Sequence, residues 1–137
     1  MLLRYSLLAL LVPAALGAAP AWAEPEIAGR WAVDKELSLV SLTASKTMTP
    51  KEATDILASF GDSAVVFEGA KMNVLMGPQS ITCDWTWGTA QEIKYTACLD
   101  EKQQPAPGGP AKIELSQDNL LRFVEADGSA MTFKRAK

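Results

Sequence analysis

Between Ile81 and Asp100 the chain reads ITCDWTWGTAQEIKYTACLD, so Cys83 and Cys98 bracket Trp85, Trp87 and Tyr95. Two cysteines can form a structural disulfide, a redox couple or part of a metal site. Clustered aromatics can wall an apolar pocket or pack a core. The chain contains no histidine. That excludes Ser-His-Asp and Cys-His nucleophilic machinery, HExxH zinc sites and the two-His-one-carboxylate iron site. A carboxylate pair, a Lys base or a Ser-Lys arrangement would be the remaining catalytic options. Asp62, Asp100, Glu101, Asp118 and Asp127 fall at turns, where acidic side chains ordinarily bond the local backbone. The Asp-Asn and Asp-Gly pairs lack calcium-loop spacing. No catalytic residue, no metal ligand and no cofactor is therefore expected.

Which cysteine chemistry applies depends on compartment. Residues 1–23, MLLRYSLLALLVPAALGAAPAWA, have the anatomy of a secretory signal: Arg4 as the positive region, Leu7–Leu16 as the apolar stretch, and Ala21-Trp22-Ala23 as the cleavage site. Cleavage after Ala23 leaves residues 24–137 as one domain destined for the periplasm or the exterior. Pro13 and Pro20 interrupt the apolar segment, and no later segment suits a membrane span. In an oxidising compartment Cys83 and Cys98 should pair as a disulfide. The full chain has 13 basic and 16 acidic residues; losing Arg4 leaves twelve basic and a formal charge of −4. Neither sign forms a run, so neither nucleic acid nor an anionic membrane is an expected partner.

The elements that must position these residues follow from periodicity. Gly29-x-Trp31 opens a first strand. Asp34 can cap a helix over Lys35–Ser45 with Leu37, Val40 and Ala44 as its apolar stripe, although its serines are indifferent helix formers. Thr49, Pro50 and Glu52 form a capping box for a second helix ending at Gly61, with Ala53, Ile56, Leu57 and Phe60 on one face. From Ala64 onward the period drops to two and turns recur, giving a meander of short strands. The predicted fold is mainly β, a barrel or strongly curved antiparallel meander of about eight strands with two short helices between strands 1 and 2. In the Cys83 hairpin, matching the apolar faces sets Trp87 opposite Ile93 and Trp85 opposite Tyr95. Cys98 then points to the wrong face, so a disulfide requires a bulge or a strand end. QQPAPGGP, residues 103–110, reads as a long surface loop.

This order of elements resembles the calycin group, the lipocalins and fatty-acid-binding proteins, and more closely the small secreted lipocalin-like domains of bacteria. The resemblance implies that Arg135 packs across Trp31 to close the barrel base, a structural role. It also implies an apolar ligand. The Arg-x-Tyr with which fatty-acid-binding proteins hold a carboxylate is missing, since the last strand reads MTFKR. Eight short strands can enclose a barrel filled by its own side chains. The expected function is thus an exported non-catalytic binding protein holding a small apolar ligand or none. Trp85, Trp87, Tyr95 and Phe60 are its candidate pocket residues, the second helix its lid, and core packing the competing role of the aromatics. The alternative is a protein-binding inhibitor or immunity-type module acting on an exported enzyme, with Lys102–Pro110 as the inserting loop. An enzyme using carboxylates stands behind both.

Overall fold

The computed structural model describes residues 25–45, 47–89 and 91–136. The expected signal segment and its cleavage site lie outside them. The chain is mainly β. Strands β1 (Gly29–Val33), β2 (Ala64–Glu68), β3 (Lys71–Met76), β4 (Gln79–Trp87), β5 (Glu92–Asp100), β6 (Lys112–Leu115), β7 (Leu121–Val124) and β8 (Ala130–Arg135) form an antiparallel barrel. Each strand pairs with its sequence neighbour, and β1 closes the ring on β8 through Trp31 opposite Arg135 and Val33 opposite Phe133. Two helices, α1 (Lys35–Ala44) and α2 (Pro50–Phe60), lie between β1 and β2.

Both helix starts are capped as read from the sequence. Asp34 accepts from the Leu37 N–H, and Thr49 and Glu52 complete a reciprocal capping box. The docking face of α1 differs from the expected stripe. Leu37 and Val40 are 42% and 66% exposed, while Ser38 and Leu42 are buried. The last β1 bond to β8 is from Asp34 N–H to the Thr132 carbonyl (2.8 Å), and beyond it the bare strand N–H groups must find other partners. The serines supply them. Thr132 N–H donates to Ser38 Oγ (2.9 Å), Ser38 Oγ donates to the Thr132 carbonyl (3.2 Å), and Ala130 N–H donates to Ser41 Oγ (3.0 Å). Weak helix formers are present in α1 because they bond a sheet edge.

The register of β4 on β5 carries the required irregularity. Trp87 faces Ile93, Trp85 faces Tyr95 and Asp84 faces Thr96, but Thr82 faces Leu99. One residue of β4, Cys83, therefore stands against two of β5, with Ala97 in the left-handed region at φ 53°. The extra residue turns Cys98 back to the inner face, where the Cys83–Cys98 disulfide forms with Cα atoms 4.1 Å apart.

Candidate functional site

The barrel has two dissimilar ends. At the base, Trp31 is fully buried and donates its indole N–H to the Ile27 carbonyl (3.0 Å). The Arg135 guanidinium lies 4.5 Å from the Trp31 ring and donates to the carbonyls of Ala28 (2.9 Å) and Glu26 (2.5 Å), tying residues 26–28 across the opening. Phe67, Trp85 and Trp87 stack edge-to-face, with ring centroids 5.2 and 5.5 Å apart. Trp85 also donates to the Gly69 carbonyl (2.9 Å).

Toward the helices the barrel is hollow. A cavity of about 520 Å³ runs from Met72, Ile81 and Phe133 up to Leu42, Met48 and Ile56 of the helix pair. Its lining is almost wholly apolar and includes the disulfide. Four of the five methionines of the chain, Met48, Met72, Met76 and Met131, contribute to it. Thioethers on unbranched stems give such a wall a deformable, polarisable surface. Helix α2 turns Leu57 and Ala53 inward and leaves Phe60, 39% exposed, at the rim. The helices also pack with Met131, which joins their small core to the barrel interior.

The side wall is completed by the Pro/Gly loop. β5 pairs with β6 only at Glu92–Glu114 and Ile93–Ile113, so the upper half of β5 has no strand on that side. Residues 105–110 fill the gap. Leu99 bridges Pro105, Ala106 N–H donates to the Cys98 carbonyl (3.0 Å), and the Tyr95 hydroxyl donates to the Pro110 carbonyl (2.7 Å). Glycine is required at 109: its φ is 117°, and a Cβ there would stand 2.7 Å from the Tyr95 hydroxyl. Burial, reinforced by the Glu125 carboxylate, holds the Tyr95 phenol above its ordinary pKa, so it remains a donor.

The four candidate pocket residues thus divide. Tyr95 and Phe60 line the large cavity. Trp85 and Trp87 do not; they border a separate cleft of about 280 Å³ at the base, beside Ile27 and Phe67. The barrel is also not filled by its own side chains: Tyr95, Phe123 and Phe133 line the wall of the cavity together with Val, Ile and Met and leave about 520 Å³ open.

Polar atoms in the large cavity are few. Ser129 Oγ donates to Asp127 (2.6 Å), and the Tyr95 hydrogen is committed to Pro110. Ser63 is 6% exposed, and its hydroxyl is the one buried side-chain polar atom without a hydrogen-bond partner among the described residues. Sequence reading passed over Ser63, though extending the β2 alternation back from Phe67 and Val65 places it on the inner face. A nucleophilic serine needs a hydrogen-bonded base, which Ser63 lacks here. Among the described residues no three His, Cys, Asp or Glu side chains gather to hold a metal ion. Comparison with protein-family models, curated proteins and solved structures finds no match to this chain.

Proposed function

We propose that this chain is an exported, non-catalytic, lipocalin-like binding protein that carries a small apolar molecule inside the upper half of its barrel. The observation that carries the reading is the apolar cavity of about 520 Å³, roofed by α1 and α2 and walled laterally by residues 105–110. Its volume falls in the range of about 300–1,000 Å³ typical of small-molecule sites. A packed barrel would gain dispersion contacts that this one forgoes, so an occupant has free energy to contribute. The disulfide supports residence in an oxidising compartment.

Native mass spectrometry on protein purified without denaturation tests this reading. An excess mass of small-molecule size, lost on unfolding, is the expected result. A bare chain that also takes up no neutral apolar dye would sink it.

The protein-inhibitor reading retains one observation, the exposure of Leu37 and Val40 on the outer face of α1. Its proposed inserting loop, however, is folded back onto β5 by the Pro105, Ala106 and Pro110 contacts. A stoichiometric protein companion in the same spectrum would promote this second reading.

A further inference from the structure

Resting on the binding reading above, we infer that the occupant is an uncharged amphiphile: an apolar body bearing one oxygen function that hydrogen-bonds Ser63 Oγ. Three observations converge on this. Both backbone groups of Ser63 are already used, its N–H donating to Phe60 O (2.9 Å) and its carbonyl accepting from Val33 N–H (3.3 Å). Those two bonds fix the backbone at the junction between α2 and β2. Two-residue periodicity then turns the side chain to the same face as Val65 and Phe67, which belong to the barrel core. Its hydroxyl is consequently buried beside the cavity that Ser63 helps to line and has no partner, a state that costs free energy until something bonds it.

The remaining lining sets the charge of the ligand. No Lys or Arg is among the described lining residues, and the one ionisable carboxylate there, Glu125, lies exposed at the rim. An anionic head would be buried without a cation and near a like charge, which is strongly unfavourable. A hydroxyl, ketone, ester or ether oxygen has no such cost and meets Ser63 as donor or acceptor. The methionine-rich wall tolerates variation in the apolar body. Specificity then resides in one hydrogen bond and the absence of charge, and only loosely in shape.

The test is competitive displacement of a neutral solvatochromic dye by three probes of equal chain length, 1-decanol, decanoate and decane, at neutral pH. Wild type should bind 1-decanol about tenfold more tightly than decanoate, because the ionised head must stay at the rim. Ser63→Ala should weaken 1-decanol about fivefold and leave decane unchanged, while Ser63→Thr, which keeps the hydroxyl, retains the alcohol preference. Ser63→Ala should melt no lower than wild type without ligand, since it deletes an unsatisfied group, so loss of folding will not mimic loss of binding. Equal binding of 1-decanol by wild type and Ser63→Ala would overturn the Ser63 inference while the cavity reading stands. Tightest binding by decanoate would overturn the uncharged-ligand inference. Failure of dye and all three probes to bind would overturn the cavity reading itself.

Discussion

The two ends of this barrel are built from the same eight strands and bury apolar side chains in opposite ways. The base is closed by large rigid rings, Trp31, Phe67, Trp85 and Trp87, with Arg135 laid over the first and bonded to residues crossing the opening. The upper half is lined by Val, Ile, Met, a disulfide and the rings of Tyr95, Phe123 and Phe133, and needs two helices and a loop to cover it. An eight-stranded barrel is just wide enough for its own side chains to fill. Stacked rings fill it at the base, whereas Tyr95, Phe123 and Phe133 stand in the wall of the upper cavity and leave space between them. The base accordingly supplies stability, and the hollow half supplies capacity.

That contrast is open to attack by substitution. The largest effect should come from Trp31→Ala, which empties a fully buried ring site at the base. Unfolding free energy should fall by about 3–5 kcal/mol in a denaturant titration. Cys83→Ser and Cys98→Ser should each cost about 3 kcal/mol, the loop-closure contribution expected for a separation of 15 residues. The double variant should lose no more than either single one, and a reductant should bring wild type to the same midpoint. Arg135→Met keeps the stem but removes the charge over Trp31 and two donors to backbone carbonyls. A loss of about 1–2 kcal/mol is expected, read from the same titration. Val74→Phe adds a ring where there is room, and should change stability by less than about 1 kcal/mol while weakening dye uptake.

The smallest effect is pH-dependent and concerns the cover. Asp127 accepts from Ser129 Oγ and N–H and from Thr47 Oγ1, joining the β7–β8 turn to the connection between the helices. The hydrogen bonds from Ser129 and then Thr47 lower its carboxyl pKa from 3.8 to about 2. A depressed folded-state value means that this stabilisation is fully present above the unfolded value and disappears as pH falls through the folded one. The melting-temperature gap between wild type and Asp127→Asn should therefore be constant above pH 5 and close between about pH 4 and pH 2. A gap that widens on acidification would contradict the assignment.

Much of the fold was legible because it rests on local rules. The capping box at Thr49 and Glu52, the two-residue alternation of the strands and the turn residues each act within a few positions of themselves. Even the β5 irregularity could be anticipated, since the parity of Cys83 and Cys98 conflicts with the pairing of Trp85 and Tyr95 unless one residue is extra. Long-range relations were less legible. Periodicity assigns a side chain to a face but not to a height along the barrel axis. Trp85, Trp87 and Tyr95 thus read as one aromatic wall, whereas Trp85 and Trp87 border the base cleft and Tyr95 reaches the main cavity. The apolar spacing of Leu37 and Val40 misled for a related reason. Helix α1 docks by hydrogen-bonding a bare strand edge through Ser38 and Ser41, and hydrophobicity carries no signal of that. Ser63 was overlooked because it precedes the first apolar residue of its strand, and only its unmet hydrogen bond marks it out.

The measurement that bears most directly on the central claim is a paired titration of the neutral dye on wild type, Val74→Phe and Trp87→Phe, each first shown to be folded by circular dichroism. If the hollow upper half is the binding site, wild type and Trp87→Phe bind the dye with similar affinity and Val74→Phe binds it more weakly. Weakened binding in Trp87→Phe with unchanged binding in Val74→Phe would move the site to the base cleft and contradict the account.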